Sequence, residues 1–206
     1  MNKNIKQKFK EFKQEFKMKE LSTKNNCIYF DDEILEDENG VTSWEGEKYI
    51  EIKYSSRNSI SRVLSNLYPY KFRFKGKKVS SIESVLQGIK YKDKKTQKLV
   101  FNYAGVDAYH TRASNIFDFW GNSGKLYFWG KEIVRQSEDY QNFLDDLYLS
   151  CLKNPLYKRA IKSAGNKYLL HHIGRTDPNE TVLTRYEYEC RLYALQKLVL
   201  EGYVKS

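Results

Sequence analysis

Glu83, Gln87 and Lys90 lie within "SSIESVLQGIKYKDKK", residues 80–95. On a helix that turns about 100° per residue, all three share one face. An acid held beside an amide and an ammonium can stabilise a cation or take a proton from water. The same spacing describes a solvated ion-pair face, and spacing alone leaves both readings open. Ile82, Val85, Leu86 and Ile89 recur at helical spacing and would anchor the helix in a core. Polar groups also gather in two loops: Ser65 and Asn66 in "LSNLY", and Arg175 and Asp177 in "IGRTDPNET". Asp177 equally suits an Asx-type loop cap.

Other chemistries find little footing. His171 and His172 are adjacent, so on a strand they face opposite sides, and His110 stands alone. That offers no metal-ligand spacing, and each reads as a structural histidine. There is no G-x-S-x-G, no cysteine with a convincing histidine partner, and "GNSGK" lacks phosphate-loop spacing. Cys27, Cys151 and Cys190 are far apart and form no C-x-x-C pattern, which argues against a disulfide framework and a zinc site.

The elements that must position these residues follow from periodicity and breakers. Residues 4–21 read as an amphipathic helix with Ile5, Phe9, Phe12, Phe16 and Leu21 on one stripe. Such a stripe packs on its own domain more often than on a membrane surface, and Glu11 and Glu15 among the lysines favour packing. "CIYF" and "KYIEIKY" alternate like strands around a "DENG" turn, and residues 55–70 read as a polar loop. "YKFRFKGKKVS" reads as a hairpin turning at Gly76, and residues 121–131 as a loop or second hairpin. Residues 95–119 are expected to be partly helical. A helix over 137–152 has Ser137 as its N-cap, and the next runs from Pro155 to Gly165. "YLLHH" reads as a short strand, and a closing helix spans 184–202 with Thr184 and Glu187 spaced as a capping box. The sum is a single, mostly helical α+β domain with short strands and hairpins. Residues 1–25 form an N-terminal helix that belongs or is appended to a domain of residues 26–206.

The chain has 206 residues, 40% of them hydrophobic and 15% aromatic, enough for a sizeable core. Its net charge is +10, which suits anionic partners such as nucleic acid or phosphorylated small molecules, and solubility as well. The charge is uneven: residues 1–20 are rich in lysine and residues 31–38 are acidic. No stretch is apolar enough to span a bilayer and no signal-peptide core is present, which points to a reducing cytoplasm and no membrane partner.

Four segments sharpen the functional reading. "LSNLYPYKF", "GKKVSSIESVLQGIK", "FWGKEI" and "LLHHIGRTDPNETVLT" occur in this order and together resemble the NADAR (NAD and ADP-ribose) superfamily over roughly residues 50–200. Each segment alone is weak; the four in order are fairly specific. That superfamily includes N-glycosidases of early riboflavin-pathway intermediates and glycohydrolases that remove ADP-ribose from guanine in DNA. Its L-S-N-F-Y pattern corresponds here to Leu64 through Tyr68. Its S-E-H-Y-F-Q-x-x-K helix keeps Glu83, Gln87 and Lys90, with Ser84 replacing the histidine. Its tryptophan corresponds to Trp129 and its late aspartate to Asp177. Many members follow that aspartate with W-G; here "PNETVLT" follows, as in a different branch.

The resemblance implies a NADAR-like fold and a hydrolase that cleaves an N-glycosidic bond without metal or cofactor. Glu83 and Asp177 would be catalytic. Ser65, Asn66, Gln87, Lys90, Trp129 and Arg175 would hold the substrate. The expected substrate is an ADP-ribosyl or phosphoribosyl compound, as a small molecule or as ADP-ribosylated nucleic acid, with removal of ADP-ribose from a base favoured. The alternatives are a riboflavin-intermediate N-glycosidase and a non-catalytic ADP-ribose or NAD sensor.

Overall fold

A computed structural model describes residues 3–25, 41–44, 47–111, 124–171 and 173–204. The expectations for "CIYF", the "DENG" turn, the acidic run at 31–38, Cys27 and His172 fall outside these residues. The class is α+β and mostly helical, as expected, with short strands in small sheets. The chain divides into two compact units.

The first unit comprises residues 1–64, 156–173 and 185–206. Its elements are α1 (Lys3–Asn25), β1 (Val41–Trp44), β2 (Glu47–Glu51), α2 (Ser59–Leu64), a helix at Pro155–Ala164, a strand at Tyr168–Leu170 and a closing helix at Arg185–Leu200. β2 is central in a three-stranded sheet, antiparallel to β1 and parallel to the Tyr168–Leu170 strand. The stripe of α1 does pack inside its own unit: Phe9 and Phe12 are buried, and the Phe16 ring meets Tyr186 and Tyr193 of the closing helix. His171 donates from Nδ1 to the Ile52 carbonyl at 2.8 Å and is a satisfied structural histidine.

Residues 55–70 are not all loop, because α2 forms within them. Asn58 caps it, its side-chain oxygen accepting from the amides of Ile60 and Ser61 at 2.9 and 3.2 Å. Ser61 then donates to the Glu51 carbonyl at 2.5 Å, so a residue type that favours loops serves as a helix-to-strand tie.

The second unit comprises residues 65–155 and 174–184. In chain order it holds β3 (Phe72–Phe74), β4 (Lys77–Val79), α3 (Ile82–Gly88), α4 (Lys94–Asn102), α5 (Gly105–His110), β5 (Lys125–Phe128), β6 (Lys131–Val134) and α6 (Glu138–Cys151). The helix at Pro155–Ala164 is then α7, the strand at Tyr168–Leu170 is β7, and the closing helix is α8. Both hairpins close with two-residue turns whose central residues have positive φ: Lys75 and Gly76 at 43° and 79°, Trp129 and Gly130 at 54° and 85°. These are type I′ turns, whose twist matches that of the strands. Rings of Phe74, Phe128 and Phe143 meet edge to face at 5.0–5.4 Å and bind both hairpins to α6. Ser137 caps α6 as expected, accepting from the Tyr140 amide at 3.2 Å.

At the centre lies α3, every residue of which is buried. Ser81 and Ser84 form its capping box: the Ser81 hydroxyl oxygen accepts from the Ser84 amide, and the Ser84 oxygen from the Ser81 amide. Two glycines let neighbours come close. A Cβ at Gly88 would stand 2.4 Å from the Phe101 ring, and one at Gly105 would stand 1.9 Å from the Leu67 carbonyl oxygen. The start of α5 is therefore pressed directly on the "LSNLY" backbone.

Candidate functional site

All eight residues singled out by the sequence fall in the second unit. Glu83 is nine-tenths buried, with 8% of its surface exposed, which removes the solvated-face reading. Its amide donates to the Asn66 carbonyl at 2.9 Å, tying the first turn of α3 to the "LSNLY" segment. Its carboxylate Oε1 accepts from the Gln87 side-chain amide at 2.6 Å. The Gln87 oxygen in turn accepts from the Lys90 ammonium at 2.7 Å. Gln87 is buried and Lys90 half-buried, so the row runs from a partly exposed cation to an enclosed acid.

One detail of the helical reading is corrected. α3 ends at Gly88, with Ile89 as its C-cap, and a new helix begins at Lys94. Lys90 therefore sits in the turn after α3, where its amide and that of Tyr91 bond back to Gln87 and Gly88 at 3.2 and 3.1 Å. Asp93 stops any continuation by capping α4, accepting from the Thr96 amide and hydroxyl at 2.7 and 2.8 Å. Those two bonds hold the Asp93 carboxyl below its usual range.

Asn66 is fixed from a second side, its Oδ1 accepting from the Tyr148 hydroxyl of α6 at 2.9 Å. Ser65 is buried and builds a local turn: its hydroxyl oxygen accepts from the Leu67 amide at 3.3 Å and its carbonyl from the Tyr68 amide at 2.9 Å. Trp129 is half-buried at the β5–β6 tip. Its amide donates to the buried Gln97 at 2.8 Å, while Gln97 donates to the Tyr127 carbonyl at 2.7 Å. The Tyr127 amide donates to the Ile89 carbonyl at 2.7 Å, so the hairpin is docked on the residue between α3 and Lys90. The Lys77 ammonium stands 3.6 Å from the centre of the Trp129 ring.

Asp177 and Arg175 are arranged differently. Both are exposed. Asp177 Oδ1 accepts from the amide and side chain of Asn179 at 2.8 and 2.9 Å, an Asx turn. Arg175 pairs with Glu180 at 3.2 Å. Their loop is anchored further along, where Arg135 donates to the Thr181 carbonyl at 2.9 Å and the Tyr140 hydroxyl donates to the Val182 carbonyl. The structure thus joins Glu83, Gln87, Lys90 and Asn66 directly, brings the Trp129 hairpin to the same turn, and holds Asp177 within its own loop.

Tyr148, Gln97 and Lys77 also shape this region and were not foreseen. Tyr148 lies on the apolar stripe of α6, where nothing in the spacing marks one hydroxyl as a partner for Asn66. Ser81 and Ser84 were legible in principle, since serines three apart before an apolar run are a helix-start signal. Among the described residues, no group of histidine, cysteine, aspartate and glutamate side chains has a metal-binding arrangement. Likewise, no helix there is long and apolar enough to cross a membrane.

Comparison with known proteins adds a family. The family model described as "Bacteriophage protein GP30.3" matches residues 58–197. A protein of Enterobacteria phage T4, described as "Uncharacterized 17.1 kDa protein in Gp30-rIII intergenic region", is 25% identical over 130 residues, 62% of this chain and 84% of that protein. No solved structure matches the chain.

Proposed function

This chain belongs to the bacteriophage protein GP30.3 family, and we propose that it is an N-glycosidase that removes an ADP-ribosyl or phosphoribosyl group from a base. The favoured substrate is an ADP-ribosylated nucleobase. The observation that carries this reading is the buried Glu83, held by Gln87 and Lys90 and tied through its amide to Asn66. It is the arrangement that the NADAR resemblance leads one to expect of a catalytic carboxylate.

Cleavage of an N-glycosidic bond builds positive charge on the ribose C1′ and ring oxygen. A carboxylate enclosed near that carbon stabilises the cation and takes a proton from the attacking water. Glu83 would serve in both capacities. Gln87 holds its Oε1, and Lys90 holds the Gln87 oxygen, so the carboxylate is oriented before substrate arrives. Asn66, fixed by Tyr148, and the turn at Ser65 would position sugar and phosphate. Trp129 offers a flat face to the base. Asp177 would contact ribose hydroxyls if its loop meets the substrate.

The test mixes wild type and Glu83→Gln with ADP-ribosylated guanine in an oligonucleotide, NAD, ADP-ribose and riboflavin intermediates, and separates the products by chromatography. Wild type releases free ADP-ribose from the modified base. Glu83→Gln loses about 10²–10⁴-fold in turnover but is still stabilised thermally by ligand. Near-wild-type turnover by the variant sinks the assignment. Ligand stabilisation of wild type without any product would mark a sensor instead, and product from the riboflavin intermediates alone would move the substrate there.

A further inference from the structure

We propose that the tips of the two hairpins in the second unit, with the start of α4, form a docking strip for a single strand of nucleic acid. As a statement about substrate, it rests on the N-glycosidase reading and makes that substrate a polymer. As a statement about binding, it stands on its own geometry.

Charge is the first ground. Between Lys71 and Lys98 ten lysines and arginines stand against Glu83 and Asp93, leaving eight of the chain's ten net positive charges in this one stretch. Glu83 is buried, whereas Asp93 is exposed and offsets one charge at the start of α4. Across the β3–β4 hairpin, Arg73 lies directly opposite Lys78, and both are exposed. Like charges facing one another on a hairpin oppose its formation, and a bound polyanion removes that conflict.

Convergence is the second. The Lys77 ammonium lies over Trp129 at 3.6 Å. A Cβ at Gly130 would stand 2.8 Å from Lys94 Cε and 3.6 Å from its Nζ, so Lys94 lies against the same turn, and Lys131 leaves it. One cation of β4 thus lies on the indole, and cations of α4 and β6 stand at the same turn. Among the described residues none of the three is in an ion pair.

Backbone is the third. Trp129 has φ of 54° at the first central position of a type I′ turn, where asparagine or glycine sits without strain. Lys75 takes the same conformation in the β3–β4 turn, so what sets Trp129 apart is the half-buried ring that its turn carries at the tip. An aromatic side chain set among lysines is how single strands are held without sequence preference: bases stack while cations follow the phosphates. The strip also leads somewhere. Trp129 is two residues, about 7 Å of strand, from Tyr127, whose amide is bonded to Ile89 beside Lys90. The hairpin that carries Trp129 is thus bonded to the residue next to Lys90, whose ammonium ends the row on Glu83.

The experiment measures anisotropy of a labelled, unmodified single-stranded oligonucleotide against salt. It compares wild type with the triple variant Lys77→Glu, Lys94→Glu, Lys131→Glu. A control triple variant, Lys3→Glu, Lys6→Glu, Lys10→Glu on α1, changes net charge equally. Wild type and control bind alike, while the strip variant binds at least tenfold more weakly at about 0.1 M salt, its salt slope shallower by about 2, at ~0.7 per phosphate contact. No binding by wild type, or equal loss in the control, overturns the strip. Anionic vesicles are the competing polyanion, and wild-type binding to them but not to the oligonucleotide overturns it too. Turnover separates this proposal from the catalytic one. The strip variant loses activity on an ADP-ribosylated oligonucleotide but keeps it on ADP-ribosyl-guanosine. Glu83→Gln shows the reverse pattern, losing turnover while holding the oligonucleotide.

Discussion

An ammonium has only protons to give, and that orients the α3 row. Because Lys90 donates to the Gln87 oxygen, the Gln87 nitrogen must face Glu83, whose carboxyl oxygen accepts from it. The direction of the amide thus follows from chemistry. The same reasoning separates the two roles of Asp177. Its Oδ1 caps a turn through Asn179, and an asparagine oxygen accepts those bonds equally well. Asp177→Asn should leave thermal stability unchanged within about 0.5 kcal/mol, as for a surface change that keeps its hydrogen bonds. A fall in kcat/KM of tenfold or more in that variant places the carboxylate on substrate. Unchanged kinetics leave Asp177 a loop cap and put the catalytic burden on Glu83.

At the scale of the element, the β5–β6 hairpin is informative because its turn residue goes against local preference. A left-handed conformation costs a non-glycine residue about 1–2 kcal/mol, and the Lys77 contact returns about 0.5–1 kcal/mol of that. Trp129→Asn relieves the strain and loses the contact, so the two nearly cancel. The variant should melt within a few degrees of wild type by circular dichroism while losing affinity for the nucleotide ligand. A large drop in melting temperature would instead make Trp129 a structural residue. The β3–β4 hairpin has the same turn type with Lys75 and Gly76, so positive φ at its tip needs no functional explanation of its own. The difference lies in the ring, which no turn requires.

For the molecule as a whole, burial sets a pH dependence that sequence charge does not. Cys151 is fully buried in the second unit, and burial pushes its thiol from 9.0 up to about 12. A folded-state value raised above the unfolded one gives stability that is complete below pH 9 and lost as pH rises toward 12. Cys151→Ala lacks this contribution. The stability advantage of wild type over Cys151→Ala, from urea melts, should therefore shrink by about 2–3 kcal/mol between pH 9 and 11, at ~1.4 kcal/mol per pH unit. A constant difference across that range would mean that the thiol ionises in the folded protein. The +10 charge is also unevenly placed at this scale. The lysines of α1 flank a stripe packed on α8, whereas Lys75 and Lys77 stand at or beside the β3–β4 tip and Lys94 against the β5–β6 turn.

Sequence by itself determined what depends on neighbours a few residues away. Apolar spacing marked α1, α3 and α6. Breakers marked the turn at Gly76 and the limits of α7 at Pro155 and Gly165, whose φ is 57°. These features are local because helix periodicity and backbone strain are decided within a turn or two of chain. Tertiary structure alone decided that Glu83 is enclosed, since the same spacing fits a solvated face until "LSNLY", α5 and the β5–β6 hairpin close on α3. It alone ended α3 at Gly88, where Phe101 presses on the glycine and Asp93 begins another helix. It likewise tied α2, inside an expected loop, to β2, because the Ser61 hydroxyl found the Glu51 carbonyl in place of water. Each of these outcomes depends on groups far apart in the chain, whose meeting is set by packing and by the need to satisfy every buried polar atom.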